Sequence, residues 1–94
     1  MQFDWDENKR GSNLEKHGID FHDAPDFFES DLLCFEDDRK DYGEKRFVAF
    51  GRLAGRLIVT AYTLRYESIR ILSMRKASDR ERRLYEQYIK DRLG

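Results

Sequence analysis

Ninety-four residues suffice for one domain, with a modest core of a single sheet and a few helices. Charged residues make up 39% of the chain, against roughly 25% in an average domain, and hydrophobic residues another 39%, with 14% aromatic, too much apolar material for a disordered chain. The net charge of −1 hides a split: residues 1–44 carry 14 acidic and 5 basic side chains (5 − 14 = −9), residues 45–94 carry 5 acidic and 13 basic ones (13 − 5 = +8). Either the two halves neutralise each other across the fold, or the second builds a basic surface for an anion.

At the N-terminus, Phe3 and Trp5 alternate with polar residues, as a short edge strand or an anchoring lead-in would. A polar helix follows from about Asp6 to His17. Asp4 and Glu7 have capping-box spacing, and Asp6 offers a slightly later cap. Gly18 supplies the stop. The helix has a thin apolar face, Leu14 nearly alone, so it must be held by docking at its ends. Phe21, Ala24, Phe27 and Phe28 recur at helical spacing and predict a second, short helix with Pro25 in its first turn. Leu32 to Phe35 reads as a brief strand, and the charged stretch from Glu36 to Glu44 as a loop closed by Gly43.

Strands dominate next. Arg46 to Phe50 is one, followed by a turn over Gly51 to Gly55. Leu57 to Leu64 is nearly continuous in apolar character and predicts a central strand covered on both faces. Arg65 to Ser68 turn the chain, and Ile69 to Arg75 form the next strand. Short connections favour an antiparallel meander. Ser78 and Glu81 then form a capping box for a last helix, whose apolar stripe is Leu84, Tyr85, Tyr88 and Ile89. The expected fold is α+β: two N-terminal helices, an antiparallel sheet of three to four strands and a C-terminal helix, over residues 1–94 as one domain.

Several chemistries find no support. Cys34, the lone cysteine, permits neither an internal disulfide nor a thiolate metal cluster. His17 and His22 are five apart across a helix stop, so they do not share the face of a zinc helix, and no metal site is expected. Neither a nucleophile elbow nor a P-loop is present. The start of the chain lacks the basic and apolar regions of a secretory signal, and no apolar run nears the ~20 residues a membrane span needs. A cytoplasmic protein is expected.

The arginines stand apart, since β-propensity does not ask for them. Arg46, Arg65, Arg70 and Arg75 sit on or beside predicted strands. Simple alternation puts Ile69, Ile71, Ser73 and Arg75 on one face of the last strand and Arg70, Leu72, Met74 and Lys76 on the other. Antiparallel pairing places Arg65 near Arg70 and sends Arg75 towards Arg56, so this strand alone does not gather them. Arginine grips phosphate through a two-pronged fork and stays charged at cellular pH. Each of these residues either binds a phosphate or pairs with an acid of the first half.

Taken in order, Phe3 to Lys9 (FDWDENK), Asn13, Lys16-His17-Gly18 and Phe21 resemble the opening of the BrnT toxins. Glu44-x-Arg46-Phe47, Gly51-Arg52, Thr63-x-Arg65, Ile69-Arg70-Ile71-x-Ser73-x-Arg75-x-Ala77 and Glu81-Arg82-x-x-Tyr85 resemble the remainder, so the likeness runs from residue 3 to about residue 88. The resemblance implies a RelE-like fold and a metal-independent ribonuclease, without cofactor, that slows translation. It also implies a BrnA-like ribbon-helix-helix antitoxin that sequesters the toxin and alone contacts operator DNA. The cleavage it requires is attack of a ribose 2′-OH on the adjacent phosphorus, with a base, an acid and cationic stabilisation. Arg65, Arg70 and Arg75 are the candidates for phosphate and transition-state contacts, and Arg46, Lys76 and Arg56 for RNA binding. His17 is the first candidate for proton transfer, since imidazole titrates near neutrality, with Lys76, Tyr62 and Glu44 behind it. A nucleic-acid-binding module without catalysis, or a regulator that binds DNA itself, would draw on the same basic half.

Overall fold

In the computed structural model, which describes residues 2–93, the elements run β1 (Gln2–Trp5), α1 (Glu7–His17), a 3-10 turn (Phe21–Asp23), α2 (Ala24–Phe28), β2 (Leu33–Asp37), β3 (Arg46–Leu53), β4 (Arg56–Arg65), β5 (Ser68–Lys76) and α3 (Asp79–Leu93). The α+β class and the three helices are as expected. The sheet is not: it has five strands in the order β1-β5-β4-β3-β2, and β1 pairs parallel to β5. Most of the chain intervenes between those two strands, so no tight hairpin dictates their direction.

Local chemistry sets the element ends. The Asp6 carboxylate, not Asp4, caps α1 by accepting from the amides of Asn8 (2.8 Å) and Lys9 (3.1 Å). Gly18 closes it in the left-handed region (φ 70°), donating to the Leu14 carbonyl. Gly51, expected in a turn, lies inside β3, and the turn is only Ala54-Gly55, both at positive φ (50° and 77°) as a two-residue type I′ hairpin requires.

Two clusters flank the sheet. Ile19, Phe21, Ala24 and Phe27 pack on one face against Ile58, Tyr62, Ile69, Ile71 and Met74. On the other, Tyr85 of α3 closes a smaller cluster with Phe50, Leu57 and Val59. The run Leu57 to Thr60 is therefore buried on both sides, as its composition predicts.

A bulge breaks the alternation of β5. Tyr62 pairs with Ile71 and Ala61 with Ser73, leaving Leu72 as an extra residue. Met74 consequently joins Ile69 and Ile71 in the main core, and Arg75 turns to the face of Arg70. The face assignment expected from strict alternation is thus corrected beyond Leu72. Asn13, the one buried residue of α1, pins the strand just past the bulge: its amide donates to the carbonyls of Met74 (2.8 Å) and Ile19 (3.1 Å) and accepts from the Met74 N–H (3.1 Å).

Candidate nucleic-acid interface on the α3 side of the sheet

Residues directly opposite in register project to the same face, so the pairing defines rows across the α3 side. The first row is Leu33, Phe50, Val59 and Arg75; its strand residues pack beneath α3. The second is Phe35, Val48, Ala61 and Ser73, none of them fully buried. The third is Asp37, Arg46, Thr63, Arg70 and Asp4. Arg65, paired with Ser68, ends the face at the hairpin. The second row is thus an open trough with a guanidinium beyond each side. Rows one and three lie four residues apart on β3, about 13 Å.

Each guanidinium is held in its own way. Arg75 grips Glu81 with two bonds of 2.8 Å. That fork pulls the Glu81 carboxyl down to about 2, and raises the Arg75 pKa in return. Arg65 meets Glu44 at 3.3 and 3.4 Å, and Arg70 meets Asp4 at 3.4 Å. Those two pairs are long and partly exposed, a class worth about 0.2–1 kcal/mol, so a phosphodiester can replace the carboxylate at little cost. Arg46 has no carboxylate within ion-pair distance among the described residues. It lies over the Tyr42 ring, 4.1 Å from the centroid, and its Nε is buried without an acceptor.

Around Tyr42 is a cluster that sequence reasoning missed. The Asp37 carboxylate accepts from Arg39 (2.8 and 3.0 Å) and from the Tyr42 hydroxyl (3.3 Å). The Arg39 contacts bring its pKa down to about 2. Arg39 is close enough to Arg75 for its charge to work against protonation there. The signal available was alternation: Leu33 and Phe35 share a face, and one more step carries the strand to Asp37, in the stretch expected to be loop.

The remaining candidates lie elsewhere. Arg56 pairs with Leu53, which packs on the main core, so it belongs to the opposite face, beside Gly18, Asp23 and Asp26. Lys76 pairs with Ile58 and takes that face too. Arg75 therefore does not approach Arg56 as expected. Tyr62 is also on the core side, 8% exposed, and burial pushes its phenol up, away from proton transfer. His17 sits in the last turn of α1, in a shallow groove with Lys9, Lys16 and Leu72. Ser73 borders both that groove and the trough, so His17 lies beyond one end of the second row.

Among the described residues no group of three or more His, Cys, Asp or Glu side chains is placed to hold a metal ion, and no helix is long and apolar enough to cross a membrane.

A sheet face lined with arginines suits an extended polyanion. The family model of the ribonuclease toxin BrnT, of type II toxin–antitoxin systems, matches residues 5–81. The chain belongs to the BrnT family. No match is found among curated proteins. The matched span covers all five strands but for the first residues of β1, and α3 only to Glu81. It therefore contains the rows of the trough, Asp4 apart, and the Arg75–Glu81 pair. Membership in the BrnT family makes RNA the substrate class and an antitoxin the partner class.

Proposed function

We propose that this chain is a metal-independent endoribonuclease with a RelE-like fold, acting in the cytoplasm to slow translation until a BrnA-like ribbon-helix-helix antitoxin covers it. The observation that carries the site is the Leu72 bulge, which turns Arg75 to the face already holding Arg46, Arg65 and Arg70. In this reading a single RNA strand lies along the trough with a phosphodiester between Arg70 and Arg75. The 2′-OH oxygen attacks phosphorus as its proton is removed; the P–O5′ bond breaks, and the 5′-oxygen takes up a proton. A 2′,3′-cyclic phosphate and a 5′-OH remain. Arg65, Arg70 and Arg75 stabilise the extra charge on the phosphorane, and Arg46 binds the strand. His17, beyond Ser73, exchanges the protons. Asp37 and Glu81 do not suit that task, because both are held ionised down to about pH 2. Arg56 and Lys76 face away and are assigned no part in the chemistry.

Incubating the purified protein with total RNA in EDTA tests this. New ends bearing cyclic phosphate are expected, and an Arg65→Ala/Arg75→Ala variant that stays folded should cleave at least about 100-fold more slowly, as loss of oxyanion stabilisation does elsewhere. Undiminished cleavage by that variant would remove the site. Salt-dependent binding without new ends would identify a non-catalytic binding module instead.

A further inference from the structure

We infer that Phe35 is a platform on which one nucleobase of the bound strand stacks, next to the guanidinium of Arg46. The inference rests on the reading that single-stranded RNA crosses this sheet face, and it adds where a base, as distinct from a phosphate, is held.

Four observations converge on this residue. Phe35 is a large apolar side chain left 41% exposed. Its pairing with Val48 sets it on the arginine face, at the open end of the trough. Its ring meets Phe50 edge-on, with centroids 5.5 Å apart at 72°. Because Phe50 is buried, that contact fixes the ring's tilt and leaves little rotamer freedom for a base to remove. Arg46 is two residues from Val48 on the neighbouring strand, which makes it a diagonal neighbour of Phe35, about 7–8 Å away at the backbone. Its flanking residues Cys34 and Glu36 project to the other face, so no carboxylate adjoins the ring from its own strand except Asp37, which Arg39 neutralises.

A protein contact is the competing use for such a residue, and the surroundings argue against it. The other large exposed apolar side chains among the described residues are Leu14 on α1, Leu64 on the core side, Tyr66 on the β4–β5 turn, and Leu84 and Leu93 on α3. None of these adjoins Phe35; its partly exposed row-mates Val48 and Ala61 form a narrow strip flanked by Arg46, Arg70 and Arg75, whereas the centre of a protein interface is a broad apolar patch depleted of charge. One aromatic ring on a sheet, bordered by cations, is the arrangement that holds a base by its π-face and the adjoining phosphate by charge.

The test uses the full chain and short single-stranded oligonucleotides with 2′-deoxyribose at every position, which cannot be cleaved by 2′-OH attack. Phe35→Ala should weaken binding roughly tenfold, the order that one base–aromatic stack supplies. Phe35→Trp should restore it, and its indole fluorescence should be quenched on binding. Phe35→Leu, apolar but without a π-face, should not restore it. An abasic site walked along the oligonucleotide should cost the wild type about tenfold at one position and cost Phe35→Ala nothing further there. Wild-type affinity in the folded Ala variant, or equal rescue by Leu and Trp, would overturn the inference. So would loss of neutralisation by the antitoxin with oligonucleotide binding unchanged, which would make Phe35 a protein contact. Phe35-dependent binding with no RNA cleavage would sink the ribonuclease reading alone. Arginine-dependent cleavage with a silent Phe35 would sink this inference alone.

Discussion

Arg75 and Glu81 are joined fork to fork, each guanidinium Nη donating to one carboxylate oxygen at 2.8 Å. The same carboxylate closes the N-terminus of α3, accepting from the Ser78 N–H at 2.8 Å, while the Glu81 N–H donates to the Ser78 hydroxyl. One side chain thus ties an arginine of the sheet face to the helix that packs over the first row of that face. Any partner that pulls α3 away must also release Arg75.

An acid-sensitive contribution to stability follows from that tie. The folded Glu81 has its pKa depressed from 4.5 to about 2. A depressed carboxylate stabilises the fold above its unfolded value, and that contribution is lost as the pH falls through the window from about 4.5 to about 2. Arg75 is 43% exposed, so solvent screens the pair and the full shift overstates its worth. Glu81→Gln should cost about 1 kcal/mol at pH 7. Urea unfolding of both proteins between pH 7 and 2 should show the gap shrinking to near zero at the acid end. A gap independent of pH would mean that Glu81 acts through its cap alone.

What was legible in the chain was local. The Gly18 stop, the Ser78/Glu81 box and the doubly covered strand depend on residues within a few positions of one another, and each is found as read. The Asp6 cap was legible too, as one of two choices. The sheet was not, because the parallel pairing of β1 with β5 and the Leu72 bulge are settled by contacts with distant segments. Four arginines were recognisable as candidates for phosphate contacts, yet strict alternation put Arg70 and Arg75 on opposite faces, and only the extra residue reconciles them. Asp37, Arg39 and Tyr42 escaped because a charged stretch ending in glycine looks like any solvated loop.

At Gly51, α2 and the following loop press close against β3. A Cβ there would fall 2.7 Å from both the Leu32 Cδ2 and the Ser30 Oγ, and 3.0 Å from a Phe27 ring carbon. Ser30 is fixed by accepting from the Arg52 N–H and donating to the Phe27 carbonyl, so it cannot simply swing aside. Gly51→Ala should therefore destabilise by about 1–3 kcal/mol through overpacking, although alanine suits a strand better than glycine. Thermal unfolding should show a lower midpoint. An unchanged midpoint would mean that the Ser30 loop yields without cost.

Asn13 offers the sharpest test of how the arginine face is made. Its amide satisfies the Met74 N–H and the carbonyls of Met74 and Ile19 in a buried setting where β1 no longer pairs with β5. Asn13→Ala leaves those three backbone groups without their partner. At about 1–3 kcal/mol for a buried unsatisfied group, and with incomplete additivity, a loss of about 2–4 kcal/mol is expected in urea unfolding. Asn13→Asp keeps the acceptor for Met74 but cannot donate, and it sets a negative charge against two carbonyl oxygens, so it should fare no better at pH 7. Because the bulge sits just before Met74, the damage should also be local. Hydrogen exchange at the Met74 amide should accelerate by more than the global loss of stability explains, and RNA affinity should fall under conditions where the variant is still folded. If that amide stays as protected as its neighbours, the bulge is held by β4 and not by Asn13, and the placement of Arg75 is independent of α1.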